Sequence, residues 1–507
     1  MKKSTDDRNS GPRLCTRRSF FEQMHLGMYG AALTHLLGRD LLADTPRVEA
    51  RAGTEGLTRH YDVRPRAPHF APKAKAVIEL FMNGGPSQVD LFDPKPMLEK
   101  HHGEPYLHKL NSEEVVDPHQ AGGLLRSPFK FAQYGQSGIW LSEVLPHMAQ
   151  QVDDIAVIRS MHTTSSVHPV ATKIFHTGRS TVGRATLGSW VVYALGSENQ
   201  NLPAFVVLDD PLGLPVDGTT GWQSGFLPPV YQGTRMRSEG SPILNLHPEH
   251  HRPSKVTELQ RDLLRRLDQI HKVDRPGQLR LDARMASYEL AAHMQLTASD
   301  ALDIHQERPE TLAMYGVGEK PTYQGRLHPI KGKDSYARRC IIARRLVERG
   351  VRFVQIMINN QLWDTHSNGE NDLRAACEKT DKPVAALLKD LKQRGLFDST
   401  LVIWTGEFGR LPISQLQTGH TEPGRDHNQH AFSLWMAGAG IKGGTVHGAT
   451  DEIGYKVVEN PVSVADFHGT VLHLMGLHNE GLFFERNGLQ ERITFTDQPR
   501  IVQEILA

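Results

Sequence analysis

Residues that commonly bind divalent metal ions recur in the C-terminal third of this 507-residue chain. Asp364 and His366 stand two positions apart, Glu407 follows, and His427 lies in a D-H-N-Q-H run. Neutral imidazoles combined with carboxylates suit zinc or a similar divalent ion. A calcium site made only of oxygen ligands fits less well, because imidazole is not a calcium ligand. The expected cofactor is a divalent metal ion, with zinc as first choice and manganese or calcium as alternatives.

Each of these groups also has a purely structural interpretation. Asp364 and His366 could hydrogen-bond a turn, and the run that contains His427 could be a solvated loop. Glu407 could serve as an ion-pair partner for Arg410. The case for a site is therefore joint, because the groups recur beside several predicted strands.

Short apolar runs predict the strands that would position these side chains. The predicted strands are 76–81, 155–159, 204–208, 351–357, 401–404 and 432–436. Helical runs at 335–349 and 373–394 lie between strands, which predicts parallel pairing with helical crossovers. Ligands of an open parallel sheet bind beyond the carboxyl ends of its strands. We therefore expect the Asp, Glu and His residues to meet at one edge of the sheet.

The N-terminal segment predicts export. Residues 16–21 read T-R-R-S-F-F, and a weakly apolar run follows at 24–37. Paired arginines before such a run resemble a twin-arginine signal, although a basic N-terminus of a cytosolic protein is the alternative. The apolar run is too short for a stable membrane span. We expect a signal at 1–45, a linker at 46–72 and a periplasmic or extracellular location.

Composition limits the class of partner and the means of stabilisation. Lys and Arg number 58 against 57 Asp and Glu, so the clustered basic excess of a nucleic-acid-binding protein is not indicated. Cys15 lies in the leader, which leaves at most one disulfide, between Cys340 and Cys377. The fold therefore depends on its apolar core rather than on a disulfide scaffold.

Several motifs in order carry a resemblance to a known family. The segments F-M-N-G-G-P-S-Q-V-D-L-F-D-P-K-P, W-D-T-H, T-G-E-F-G-R and G-R-D-H, followed by A-G-A-G-I-K-G-G, resemble the domain-of-unknown-function 1501 family of the alkaline phosphatase superfamily. The resemblance implies an α/β, alkaline-phosphatase-like three-layer sandwich at 73–507, with a mostly parallel central sheet. The stretch 210–335 would be an insertion of loops and helices.

The resemblance also implies roles for single residues. Asp364, His366 and His427 match one metal site, and three protein ligands with an open fourth position are the catalytic zinc arrangement. His168 stands at the nucleophile position. Asn83 stands where the superfamily has a metal-binding Asp.

The second metal site of the superfamily is reduced in this sequence. Asn83 replaces a carboxylate, and Phe408 stands after Glu407 where a His is expected. The usual two-metal clamp on an ester is therefore in doubt. The sulfatase signature, a Cys or Ser followed by x-Pro-x-Arg, is absent from the corresponding loop, so a formylglycine sulfatase is not expected.

Two functions remain open at this point. The first is an exported metal-dependent hydrolase of phosphate or sulfate esters, including those of polysaccharides. The second is a non-catalytic exported protein that keeps the fold and binds a surface polymer or a cell-surface partner; an isomerase or transferase like the superfamily's mutases is a weaker third. In the hydrolase, His168 would be nucleophile or general base, Glu407 metal ligand or base, and the residues contacting the anionic substrate would be Asn83, Ser87, Arg179 and Arg410.

Overall fold

The computed structural model describes residues 62–106, 108, 118–237, 254–273, 275, 279–323, 333–358 and 361–507. The expected signal at 1–45 and most of the expected linker lie outside the described residues. Within the described ranges, no helix is both long enough and apolar enough to span a lipid bilayer.

Short strands connected by loops and helices make up the described chain. In chain order the strands are β1 (Ala76–Phe81), β2 (Ala121–Leu124), β3 (Phe131–Tyr134), β4 (Ile139–Ser142), β5 (Ile155–His162), β6 (Phe205–Leu208), β7 (Thr234–Met236), β8 (Phe353–Met357), β9 (Thr400–Thr405), β10 (Gly409–Arg410), β11 (Ile413–Gln415), β12 (His427–Asn428), β13 (Phe432–Ala437), β14 (Thr445–His447), β15 (Ala449–Thr450), β16 (Val457–Glu459), β17 (Val462–Ser463), β18 (Phe484–Arg486) and β19 (Leu489–Glu491).

The helices of the described residues follow most of the long strands. They are α1 (Gln88–Leu91), α2 (Pro96–Lys100), α3 (His168–Thr177), α4 (Leu187–Leu195), α5 (Ser254–Val273), α6 (Leu279–Leu302), α7 (Pro309–Tyr315), α8 (Lys333–Glu348), α9 (Gly369–Gln393) and α10 (Val464–Leu474). The charged helical stretch expected between 255 and 304 is the pair α5 and α6.

A nine-stranded sheet forms the centre of the fold. Its order is β14-β5-β13-β9-β1-β8-β6-β7, with β17 beside β5. All pairs are parallel except those of β13, which runs antiparallel to both β5 and β9. The six predicted strands all occur, and the sheet is mostly parallel as expected. The expectation of parallel pairing was wrong for β13, because the chain leaving β9 stays at the same edge, through β10 to β12, and does not cross over in a helix.

Side chains of the central sheet alternate between two apolar cores, which is what a three-layer arrangement requires. Ile78 and Leu80 of β1 lie in the core shared with α8 and α9. Val77 and Phe81 lie in the core shared with α3, α4 and α10. The α/β three-layer architecture expected from the sequence is therefore present.

Two expectations about the rest of the chain can be compared with the fold. The stretch 210–335 supplies β7, which extends the central sheet beside β6, together with α5, α6 and α7. Cys340 and Cys377 are both buried free thiols in the same core, so the structure contains no disulfide between them.

The carboxyl ends of the three central strands lie level with one another. Phe81, the last residue of β1, is opposite Met357 of β8 on one side and Thr405 of β9 on the other. The loops that follow these strands therefore begin side by side. This alignment places the loop residues of all three strands above one stretch of the sheet edge.

Candidate metal centre

Four side chains converge above the carboxyl ends of the central strands: His168, Asp364, His366 and His427. Their potential ligand atoms all lie within 4.8 Å of one another. The Oδ1 atom of Asp364 is 2.9 Å from Nε2 of His366, 3.2 Å from Nε2 of His427 and 3.3 Å from Nε2 of His168. Three imidazole nitrogens thus surround one carboxylate oxygen.

Three different parts of the chain supply these residues. His168 is the first residue of α3, after β5, and Pro169 suits the start of that helix. Asp364 and His366 lie in the loop between β8 and α9. His427 belongs to β12, which pairs with β10 directly after β9. The antiparallel direction of β13 keeps this last residue at the same edge as the others.

Gly84 allows the loop after β1 to lie against the loop that carries Asp364. Its φ of +117° favours glycine, and a Cβ atom there would be 2.7 Å from the backbone nitrogen of Asp364 and 2.8 Å from that of Trp363. The N-G-G-P motif of the sequence therefore has a packing role. The Gly84 N–H also donates to Glu407 at 2.9 Å.

Each histidine of the cluster has its other ring nitrogen held by an oxygen acceptor. Nδ1 of His168 lies 2.6 Å from Oε1 of Glu407. Nδ1 of His427 lies 2.7 Å from the carbonyl oxygen of Ser166. Nδ1 of His366 contacts the side-chain oxygen of Gln415. A proton on each Nδ1 satisfies these contacts and turns the Nε2 lone pairs toward the centre, as in metal-binding histidines.

This arrangement can be held by hydrogen bonds from a protonated ring or by a bound cation. In either case a positive charge between the ring nitrogens and the carboxylate stabilises their close approach. Ligands about 2.0–2.1 Å from a tetrahedral ion are roughly 3.3–3.4 Å apart, close to the Nε2–Oδ1 distances of 2.9–3.3 Å. The side chains present could therefore hold a divalent ion.

Asp364 is held in its ionised form. Burial alone would raise its pKa, but the Arg410 guanidinium 2.6 Å away and the three imidazoles keep that pKa well below its usual range. Arg410 itself is fully buried and donates to backbone carbonyl oxygens, including that of Gly85 at 2.9 Å and that of Arg425 at 3.1 Å. The sequence predicted that Arg410 contacts a substrate anion, but in the structure its guanidinium contacts Asp364 and nearby carbonyl oxygens and so fixes the loop that carries Asp364.

The structure assigns His168 and Glu407 to positions that differ from those expected. The Nε2 atom of His168 faces the centre, where it could serve as a metal ligand, and the nucleophile or base role expected for this residue stays a prediction. Glu407 is fully buried behind it, outside the four converging residues. The physical reason is the 2.6 Å contact with Nδ1 and the Gly84 N–H, which turn the carboxylate away from the centre.

The carboxylates of Asp364 and Glu407 also control the protonation of the His168 ring, which lies between them. Burial lowers the pKa of His168, but hydrogen bonds and charge from Asp364 and Glu407 outweigh burial and raise it to about 9. Burial, with Arg410 and His168 nearby, lowers the pKa of His427 to about 4. A cation that binds Nε2 of His168 must therefore displace a proton.

The remaining expected site residues are not gathered at the cluster. Ser87 donates to Asp90 at 2.5 Å. Arg179 pairs with Asp497 near the surface at 2.8 Å and lies over the ring of Phe495. These contacts are structural, and the anion-binding role expected for Ser87 and Arg179 is not supported by their placement.

Asn83 differs from these residues because its side chain has no partner within the described residues. It is fully buried, and both polar atoms of its amide lack a hydrogen bond there. It directly precedes Gly84, whose N–H contacts Glu407. Buried groups of this kind are normally satisfied by water or by a ligand, and the substrate contact expected for Asn83 stays a prediction.

Sequence reasoning missed the acceptors that orient the ligands. Gln415 and the Ser166 carbonyl hold His366 and His427, and neither lies in a motif that indicates this role. It also missed the buried pair of Asp90 with Arg425, at 2.7 and 3.0 Å, which holds the segment before His427. An Arg immediately before an Asp-His pair was the available signal.

The sequence was compared with protein families and characterised proteins. A family described as "Protein of unknown function (DUF1501)" matches residues 74–506. No curated, functionally characterised protein matches the chain.

Solved structures with a similar arrangement of elements share few identical residues with this chain. The lipoteichoic acid synthase LtaP from Listeria monocytogenes is 9% identical, with a TM-score of 0.37, over 85% of this chain and 78% of that one. A protein in the alkaline phosphatase superfamily from Vibrio parahaemolyticus is 10% identical, with a TM-score of 0.36, over 82% and 69%. The PsFucS1 sulfatase from Pseudoalteromonas sp. is 12% identical, with a TM-score of 0.32, over 82% and 69%. Likeness at this level assigns no activity to the chain.

Proposed function

The chain belongs to the DUF1501 family, and from this premise we propose that it is an exported hydrolase of phosphate or sulfate esters that depends on a divalent metal ion. The observation that supports the proposal is the convergence of three Nε2 atoms and Oδ1 of Asp364 on one point. An acceptor fixes the other nitrogen of every ring, so the ligands are oriented in advance of binding.

The side chains of the centre and the carboxylate behind it differ in their exposure to solvent. The side chains of Asp364 and His366 are each 14% exposed, whereas that of His168 is 6% exposed and that of Glu407 is fully buried. An ester would therefore approach over Asp364 and His366, and the buried carboxylate would remain behind the ligands.

The chemistry proposed for this centre is hydrolysis by water. A divalent ion bound there would polarise an ester oxygen and lower the pKa of a water molecule. With Nε2 of His168 bound to the ion and Nδ1 in contact with Glu407, neither nitrogen of this ring would be free to act as nucleophile. Arg410 keeps Asp364 ionised, and Glu407 keeps the His168 ring in the orientation that presents Nε2.

A non-catalytic binding protein is the second candidate, and one observation favours it. Four protein ligands complete the coordination of a tetrahedral zinc ion, whereas catalytic zinc sites keep one position open. An ion that accepts five or six ligands, such as manganese, would keep an open position with the same four residues. Coordination number therefore separates the two candidates.

Hydrolysis of aryl phosphate and aryl sulfate esters tests the proposal. The protein reconstituted with zinc or with manganese should hydrolyse at least one of the two esters. Asp364→Asn should reduce that rate by about 100-fold or more, and the matched variant Arg179→Gln, outside the cluster, should leave it unchanged. Stoichiometric metal with no hydrolysis in either form would favour the binding protein.

Export through the twin-arginine pathway is part of the proposal and rests on the sequence at 16–21. Replacing Arg17 and Arg18 with lysine should leave the protein in the cytoplasm of the producing cell. Secretion of the double variant at the wild-type level would contradict this route.

A further inference from the structure

A second cavity opens at the same edge of the central sheet as the metal centre. It has a volume of about 390 Å³, and its lining includes Asp209, Asp210, Arg235 and Arg237. Asp209 and Asp210 directly follow β6, and Arg237 directly follows β7. We call it the arginine cavity. Its position beyond strand carboxyl ends is where ligands of parallel sheets bind.

Among the residues that the structure describes, cations outnumber carboxylates in and behind this cavity. Arg235 pairs with Asp209. Asp210 is contacted from the protein interior by Arg339 at 2.7 Å and by Lys379 at 3.0 Å. Both of these cations are at most 1% exposed, so their charge is poorly screened by solvent.

Arg237 adds the cation that makes the cavity attractive to an anion. It is exposed at the cavity wall. With it, four cations face two carboxylates among the described residues. Burial raises the pKa of Asp210, but the charges of Arg339 and Lys379 outweigh burial and hold that pKa at about 2, below its usual value. Asp210 is therefore ionised at neutral pH, and the described residues around the cavity carry an excess of positive charge.

A comparable charged cavity at the opposite edge has a structural explanation. It is lined by residues at the C-terminal ends of α8 and α9, among them Arg344, Arg345 and Arg394. These arginines pair with acidic side chains such as Glu307 and Asp390, and helix C-termini favour cations. It lies near the amino ends of β8 and β9, away from the metal centre.

The distance between the arginine cavity and the metal centre follows from the sheet order. Loops after β9, β1 and β8 build the metal centre, and β6 and β7 are the next strands beyond β8. Neighbouring strands are about 4.8 Å apart, so the two sites are separated by roughly 10–15 Å along the sheet edge. A chain of several sugar units that carries repeated anionic groups can place one group at each of two sites this far apart.

We propose that the arginine cavity binds a second anionic group of a sulfated or phosphorylated polysaccharide whose first ester lies at the metal centre. The inference rests on the proposed function and narrows its substrate class from small esters to a repeating polyanion. Arg237 would contact the second anionic group, and Arg339 and Lys379 would strengthen the local positive potential without touching it.

Calorimetric titration with a size-defined sulfated hexasaccharide, and with the same hexasaccharide after desulfation, tests this assignment. Arg237→Gln should weaken binding of the sulfated chain by about tenfold, the loss expected for one charge-assisted hydrogen bond. Binding of the desulfated chain should not change. Arg308→Gln, which removes one exposed arginine beside the opposite cavity, is the matched control and should bind like wild type.

Two outcomes would overturn the assignment: wild type binding both chains equally, or the two arginine variants binding the sulfated chain alike. The measurement does not depend on turnover, so it separates the two proposals. If the protein binds the sulfated chain selectively, depends on Arg237 for this binding and hydrolyses no ester, the anion subsite is supported and the proposed hydrolase activity is refuted. If the protein hydrolyses an aryl ester but Arg237→Gln leaves the affinity for the sulfated hexasaccharide unchanged, only the anion subsite is refuted.

Discussion

Nδ1 of His168 lies 2.6 Å from Oε1 of Glu407, at the base of a cluster in which the opposite nitrogen of the same ring faces Asp364. The contact joins the start of α3 to the loop after β9. It makes Glu407 a positioning residue, since its carboxylate orients a ligand and does not reach the centre itself.

Replacing this carboxylate should weaken metal binding without removing a ligand. Glu407→Gln keeps an oxygen acceptor for Nδ1 but loses the charge, and loss of such an outer partner lowers metal affinity by about 10–100-fold. Competition with a chromogenic chelator measures the affinity. Glu422→Gln, an exposed residue on a nearby loop, should bind metal like wild type, and equal affinities in all three proteins would contradict the assigned role.

Arg410 and Arg179 should differ sharply in their contribution to stability. Arg410→Gln breaks the pair between a fully buried guanidinium and the largely buried carboxylate of Asp364. It also leaves several carbonyl oxygens without a donor, and together these losses should cost about 3–5 kcal/mol. Arg179→Gln breaks a largely exposed pair with Asp497 and should cost about 0–1 kcal/mol. Urea denaturation gives both values. A cost below 1 kcal/mol for Arg410→Gln would show that its guanidinium is not held as described.

Gly84→Ala should destabilise the protein for two reasons: alanine disfavours the positive φ at this position, and its Cβ atom would overlap neighbouring backbone atoms. A matched variant separates them: Gly395 also has a positive φ, of +67°, but a Cβ atom there would meet nothing within 4 Å. Gly395→Ala should cost about 1–2 kcal/mol from conformation alone. Gly84→Ala should cost more, because its Cβ atom would overlap the backbone of Trp363 and Asp364, and it should also lower metal affinity. Equal losses of stability would count against the close approach of the two loops.

Glu79 predicts a specific pH dependence of stability. Burial raises its pKa to about 8, against a smaller opposing effect of the hydrogen bond from Gln355. The folded protein therefore retains a proton that the unfolded chain loses above about pH 4.5, so this group destabilises the fold increasingly as pH rises from about 4.5 to 8. Glu79→Gln removes the effect.

The advantage of Glu79→Gln over wild type in free energy of unfolding should grow across that range by on the order of a few kcal/mol. Urea denaturation at several pH values measures the difference. Glu485→Gln, at an exposed position, serves as control and should track wild type. A difference for Glu79→Gln that stays constant with pH would contradict a protonated carboxyl at neutral pH.

The apolar runs and their separation by helices were sufficient to predict the central strands, because buried parallel strands are short and continuously apolar. The direction of β13 was missed, since strand direction depends on the path of the connection and not on the strand's own residues. That direction matters for the site: a parallel β13 would have begun at the opposite edge, and His427 would have lain far from Asp364.

Residue types were enough to predict three members of the cluster, Asp364, His366 and His427. The sequence could not predict that His168 faces the centre while Glu407 lies behind it. Both residue types serve as metal ligands, and only the contact between the two side chains decides which one faces the centre. Arg410 and Arg179 were equally plausible anion contacts by type, and only burial separates them.

His168, Asp364, His366 and His427 together should hold one divalent metal ion. X-ray absorption on the purified protein loaded with zinc or manganese tests it most directly, since the spectrum reports ligand number and type. We expect about one ion per chain, with three imidazoles at roughly 2.0–2.2 Å from it, and loss of that signal in His427→Ala. A protein that retains no ion after loading, or an ion whose spectrum lacks imidazole and is unchanged in His427→Ala, would contradict it.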